Sequence, residues 1–186
     1  MFATDEALAR LNTSDHWFGD GTFKVCPEIF FQLYSIHALS NGRVIPCVFA
    51  LLPNKTGITY KRLFNELSNH INNDPTSMMF DFEIGAINAA SNLFPGLDVN
   101  GCFFHLCVNI RKKVQAVGLQ TRYNNEPFLA LHIKMIMALA FVPPANVIVT
   151  FGNLCNKIRQ HFQNDLDEVL EYFEETYIGH SRRCST

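Results

Sequence analysis

Asn41-Gly42 constrains this chain more than any other pair of residues. Both residue types accept positive φ, and a two-residue loop of this kind closes a β-hairpin. The pair lies between two apolar runs. Residues 30–38 read Phe-Phe-Gln-Leu-Tyr-Ser-Ile-His-Ala, and residues 44–52 run almost unbroken from Val44 to Leu52. Two antiparallel strands are expected there, and the second, apolar along its whole length, is expected to be buried on both faces. Residues 17–25, with Thr and Phe around a central Asp-Gly, read as a further strand ahead of the hairpin.

The pattern then changes to alternating helices and strands. Pro53 stops the third strand, and Thr56 is placed to cap a helix over 57–71, whose Ile58, Leu63, Phe64, Leu67 and Ile71 follow helical spacing. Residues 77–82 form a short strand with Asp81 at its end. A helix over 84–94 stops at Pro95-Gly96, a strand covers 98–103, and a helix covers 104–117. From 125 onward the periodicity is entirely helical, with Val147, Phe151, Leu154, Ile158 and Phe162 on one face and Leu166, Val169, Leu170, Phe173 and Tyr177 on another. The β-β-β-α-β-α-β-α order implies an α/β fold with a five-stranded mixed sheet flanked by helices, over residues 14–122. An all-helical segment follows over 123–186.

Composition narrows the functional classes. The 186 residues, 17 of them Phe, suit one domain carrying an insertion. A net charge of -2 excludes a uniformly basic nucleic-acid binder, so any contact with phosphates must come from local patches. The six cysteines, at 26, 47, 102, 107, 155 and 184, are scattered, and residues 1–13 are polar and partly acidic, without the apolar core of a secretory signal. Residues 128–142 are apolar but too short and interrupted to span a bilayer, and a buried helix is expected there.

Two acids stand out. Asp20 lies within a strand, where Asp is a poor former, although a turn at Asp20-Gly21 explains it equally well. Asp81 closes a strand ahead of a helix, a position that suits a ligand site or a helix cap. The strand order would set the first strand beside the fourth and let both acids project from neighbours. Two or three such carboxylates can hold Mg²⁺ ions roughly 4 Å apart for in-line phosphoryl displacement.

Asp20-Gly21-Thr22-Phe23, Pro27, Gln32-Leu33 and Tyr34 together resemble the opening of the Mutator-like element (MULE) transposase domain. Pro46 through Thr56 with Tyr60, and Asp81-Phe82-Glu83 through Ala90, resemble its middle. Gly101-Cys102-Phe103-Phe104-His105-Leu106 is similar to its Cys-x-x-His motif, and Phe173 through Gly179 to a later helical stretch. The likeness is collinear from His16 to Gly179.

It implies an RNase H-like DDE core, cut-and-paste DNA transposition, a nuclear location, DNA ends as partner, a homodimer, and Mg²⁺ or Mn²⁺ as cofactor. Asp20 and Asp81 match the first two metal-binding acids, and Cys102 and His105 match the Cys-x-x-His pair, with His105 facing the DNA end or the scissile phosphate region. Arg111, Lys112 and Lys113 are the candidate DNA contacts, or equally a solvated helix face.

The family's third acid, a Glu in a Thr-Asn-Asn context after the helical insertion, has no counterpart. Glu126, Asp165, Asp167, Glu168, Glu171, Glu174 and Glu175 read as solvated helix faces. The core is therefore expected to be catalytically incomplete, and a non-catalytic, transposon-derived protein that binds DNA or protein is the alternative. Glu83 is expected in the first turn of a helix, where the dipole favours an acid. Zinc bound through Cys102, His105 and Cys107 would need further ligands that the sequence does not offer at suitable spacing.

Overall fold

The computed structural model describes residues 1–22 and 25–179 and separates the chain into two compact units, Met1–Cys102 and Phe103–Thr186. The expected strand over 17–25 falls partly on Phe23 and Lys24, and Cys184 falls in the C-terminal stretch. All three lie outside the described residues. Among the described residues no helix is long and apolar enough to cross a membrane.

The first unit opens with a helix that sequence reading left unassigned, α1 (Asp5–Asn12). Its signals are local. The Thr4 hydroxyl accepts the Ala7 N–H at 3.2 Å, and Asp5 and Glu6 sit in the first turn, where the helix dipole favours acids. Leu11, fully buried, anchors α1 in the core.

Five strands follow: β1 (His16–Thr22), β2 (Gln32–Ser40), β3 (Arg43–Leu52), β4 (Ser77–Phe80) and β5 (Asp98–Gly101). They form one sheet in the order β3-β2-β1-β4-β5. The β1–β2 and β2–β3 pairs are antiparallel, and the β1–β4 and β4–β5 pairs are parallel. The expected hairpin closes at Asn41 and Gly42, whose φ values of 51° and 73° are those that an Asn-Gly turn accommodates.

The expectation that β3 is buried on both faces is overturned. It is an edge strand, with Val44 51% and Phe49 40% exposed. Its apolar run reflects one buried face, and Pro46, which has no N–H to donate, belongs at an edge, opposite a ladder shift between Ile36 and His37. The N-terminal segment covers part of that edge: Phe2 and Phe49 exchange two backbone hydrogen bonds of 2.7 and 2.9 Å.

The core lies between one face of the sheet and two helices, α2 (Gly57–Ser68) and α3 (Ile84–Leu93). Alternate residues Tyr34, Ile36 and Ala38 of β2 point to that face, with Trp17 of β1 and Met78 and Phe80 of β4. Tyr60, Leu63, Phe64 and Leu67 supply the α2 stripe, and Ala86, Ala89 and Ala90 allow α3 to pack closely. Burying each large apolar side chain contributes about 1.5–3 kcal/mol. Thr56 caps α2 as expected, accepting the Thr59 N–H at 3.4 Å.

The second unit is helical through residue 178: α4 (Phe103–Ala116), α5 (Gln120–Asn125), α6 (Pro127–Ala138), α7 (Pro144–Phe162), α8 (Asp167–Phe173) and a π-helical turn, Glu174–Ile178. The stretch expected to be a buried helix forms α6 with a 3₁₀ turn, Leu139–Phe141. It is amphipathic rather than wholly buried: Leu129, Ile133 and Ile136 are fully buried, whereas Phe128 and Leu131 are about half exposed.

Candidate carboxylate site

Asp20 sits within β1, half-buried, and its nearest β2 partner in the ladder is Ser35. Its hydrogen-bonded neighbourhood is polar. The Thr22 hydroxyl donates to its carboxylate at 3.4 Å, and the Ser35 hydroxyl contacts its backbone carbonyl, also at 3.4 Å. His37, two residues along the same face of β2, bonds Ser35 through Nε2 at 2.8 Å.

Asp81 is the first residue beyond β4. The parallel β1–β4 register pairs His16 with Ser77, Trp17 with Met78 and Phe18 with Met79. Continued by two residues, that register brings Asp20 level with Asp81. The Asp81 carboxylate also approaches β1 directly, since a Cβ added at Gly21 would lie 3.4 Å from its Oδ2. The chain turns sharply after Asp81, with Phe82 at φ 70°, a conformation that a bulky residue rarely adopts. The Phe82 ring lies against Gly101 of β5, where a Cβ would stand 2.5 Å from two ring carbons.

Glu83 differs from its expected place. It is the N-cap of α3, yet its side chain makes no capping bond. It turns inward to accept a hydrogen bond from the Tyr60 hydroxyl, whose oxygen in turn accepts one from Gln32 Nε2. Burial holds the Glu83 carboxyl above its usual range and the Asp20 charge pushes the same way, while Lys55 and the Gln32 amide oppose them. Tyr34 is enclosed beside this network, its ring edge-on to Tyr60 at 5.1 Å. Burial raises its phenol far above the ordinary value, and Asp81, Glu83 and Asp20 raise it further. One phenol thus senses all three carboxylates. Gln32, Tyr34 and Tyr60 were not identified as site residues from sequence. The available signal was Gln32, a polar side chain on the apolar face of β2.

The remaining candidates lie apart along the chain. Cys102 is half-buried at the end of the first unit, and its N–H donates to the Phe80 carbonyl at 2.8 Å. His105 lies in the first turn of α4, half-buried, edge-on to Phe104. Arg111 and Lys112 are exposed farther along α4, and Lys113 reaches Glu168 at 3.5 Å. Among the acids considered as a third carboxylate, Glu126 and Asp165 both pair with Arg122, and Asp167 pairs with Arg159. Among the described residues, no group of three or more His, Cys, Asp or Glu side chains is arranged to hold a metal ion.

The fold and site together define an α/β protein whose first and fourth strands, adjacent and parallel, present acids at one level. The family model of the MULE transposase domain matches residues 16–109, just over half of the chain. The chain belongs to the MULE transposase family. No curated protein matches it.

Proposed function

We propose that residues 14–122 form an RNase H-like core of the kind that cleaves and transfers DNA strands with Mg²⁺ or Mn²⁺, carrying two of its three acids, and that Asp20 and Asp81 hold the metal. The observation that carries this reading is the parallel β1–β4 register, which, continued past Phe18 and Met79, sets Asp20 level with Asp81 at the end of β4. The 3-2-1-4-5 sheet, an antiparallel meander followed by two parallel strands, supports the RNase H-like assignment. The donors fit a hard cation, being carboxylate oxygens, and Mg²⁺ needs few protein ligands because it keeps water and substrate phosphate.

A bound divalent ion would activate the attacking oxygen and neutralise charge on the leaving one. The protein's own contribution is positional. The β1 ladder fixes Asp20, and the left-handed turn at Phe82 fixes the direction in which Asp81 leaves β4. Arg111 and Lys112, exposed on α4, would neutralise backbone phosphates, giving affinity that falls steeply with salt. Action on paired transposon ends as a homodimer in the nucleus belongs to the same proposal.

The test is Mg²⁺-dependent cleavage of duplex DNA by the full chain, beside Asp20→Asn and Asp81→Asn. Loss of cleavage in both variants, with folding retained, is the expected result. Cleavage that survives either substitution overturns the assignment of that residue. A second reading, a non-catalytic transposon-derived DNA-binding protein, rests on the described acids of the second unit being engaged in ion pairs or read as solvated faces. Duplex binding at low salt without cleavage at any Mg²⁺ or Mn²⁺ concentration would favour it.

A further inference from the structure

We propose that the groove between α6 and α7 docks an amphipathic helix of a partner protein, one whose apolar face is flanked by Asp and Glu. The inference concerns the second unit alone and stands independently of the metal-site reading above.

Two matching stripes build the groove. Met135, Leu139 and Val142 line it from α6 and the 3₁₀ turn that follows, and Thr150, Leu154 and Lys157 line it from α7. Both sets follow i, i+4, i+7 spacing, so each side presents one face over two turns. Phe128, at the start of α6, packs on Phe162, at the end of α7, with ring centroids 5.6 Å apart. The other ends are joined through Pro143-Pro144, so the two helices form an antiparallel hairpin. The groove encloses about 350 Å³. Leu139 and Leu154 are buried, whereas Leu131, one turn before Met135, is 53% exposed and continues the α6 stripe outward. A groove of this kind receives a helix through apolar anchors at i, i+3 or i+4 and i+7.

Charge selects the occupant. Residues 127–163, both helices and their link, contain no Asp or Glu. Lys157 stands in the groove lining, and Lys134, one turn before Ala138 of the same lining, is exposed on α6. The ion pairs of this unit join Lys113, Arg122 and Arg159 to acids, and Lys134 and Lys157 form none among the described residues. A second copy meeting this face across a two-fold axis would present the same acid-free surface, leaving the lysines unpaired. Duplex DNA would pair with the lysines but set its phosphates against an apolar stripe, whereas phosphate contacts are made by polar and basic groups. A helix with Leu or Phe anchors and flanking carboxylates complements both the stripe and the charge.

The experiment titrates the full chain into fluorescein-labelled helical peptides, read by fluorescence anisotropy, with folding followed by circular dichroism. One peptide carries Leu at i, i+3, i+4 and i+7 with Glu on the flanks, and its counterpart carries Lys in place of Glu. Saturable binding of the Glu peptide is expected, at least about tenfold tighter than the Lys peptide at low salt, with the margin narrowing as salt rises. Val142→Glu sets a charge in the lining and is expected to weaken that binding at least about tenfold. Lys134→Glu combined with Lys157→Glu changes two exposed residues and is expected to reverse the preference between the peptides, a result that partial unfolding does not produce. Lack of saturable binding, equal affinity for the two peptides, or an unchanged preference in the double variant overturns the proposal. So does a folded Val142→Glu protein with wild-type affinity, and if that variant does not fold, the double variant decides. Phosphatidylserine-containing vesicles, duplex DNA and self-association in the ultracentrifuge are measured alongside. If one of these is lost in the double variant while the wild-type chain binds no Glu peptide, that occupant replaces the acidic helix and the proposal fails.

Discussion

Gly19→Ala is the sharpest probe of how Asp20 is held. Gly19 lies on the core face of β1, and a Cβ built there meets the Tyr34 hydroxyl oxygen at 2.3 Å, Met78 Cε at 3.0 Å and Tyr34 Cζ at 3.1 Å. Met78 ends in a flexible thioether and can yield. Tyr34 cannot yield easily: it is fully buried and wedged edge-on against Tyr60. Overpacking of this kind costs about 1–3 kcal/mol, and a unit of roughly 100 residues loses about 4–8 °C in Tm per kcal/mol. The attribution to Tyr34 is checked by a double-mutant cycle. The Tyr34 hydroxyl is buried with no hydrogen-bond partner among the described residues, so Tyr34→Phe alone should leave stability unchanged or raise it. In the Tyr34→Phe background the nearest ring atom to the new methyl is Cζ, at 3.1 Å, a contact relieved by a shift of a few tenths of an ångström. Thermal and urea denaturation of the four proteins should therefore give a favourable coupling of about 0.5–3 kcal/mol. Equal destabilisation by Gly19→Ala in both backgrounds would refute the reasoning.

Three further outcomes are expected. Gly101→Ala drives a methyl into the Phe82 ring, and should destabilise the protein by about 1–3 kcal/mol; Phe82→Gly, which removes the ring and relaxes the φ of 70°, should recover most of that loss in urea melts. Thr56→Ala removes the α2 cap and its bond to Asn54, and should cost about 1 kcal/mol by the same measurement. Burial lowers the His37 imidazole below its ordinary 6.5 while the Asp20 charge opposes that shift. The unfolded chain therefore takes up the proton first. The stability tied to His37 is complete above about pH 6.5 and is lost as pH falls through the interval down to the folded value. An NMR titration should place His37 lower still in Asp20→Asn, and an unchanged or raised value would contradict the coupling.

The order of elements was legible because each carries its own signal: the Asn41-Gly42 hairpin, the Thr56 cap, and Pro53 and Pro95-Gly96 as stops. Local signals also existed for α1, in Thr4-Asp5-Glu6 before an Ala- and Leu-containing run, but a short polar segment gives little periodicity. The edge position of β3 was not legible, since an apolar run records burial without recording how many strands flank it. Pro46 was the one residue that spoke for an edge. Asp20 and Asp81 could be singled out because an acid in or ending an apolar strand contradicts its surroundings. The Gln32–Tyr60–Glu83 chain could not, because each member has an unremarkable local role and the link spans β2, α2 and the start of α3.

The unusual backbone and close-packing features gather around the two acids. Gly19 and Gly21 flank Asp20, and each is bare on the side where Tyr34 or Gln32 stands. Phe82 follows Asp81 in a left-handed conformation that costs about 1–2 kcal/mol in a residue with a Cβ. A chain selected only for stability would place glycine at position 82 and an apolar side chain in place of Gln32. The core stabilises the opposite arrangement: Phe80 and Met78 hold β4 in place, and the Phe82 ring is seated on Gly101. Strain that persists at a bulky residue is held by its surroundings. Here those surroundings fix the direction in which the Asp81 carboxylate leaves the sheet. The glycines on β1 let the Tyr34 hydroxyl and the Gln32 amide oxygen approach the backbone on either side of Asp20, a closeness that a side chain at 19 or 21 would block.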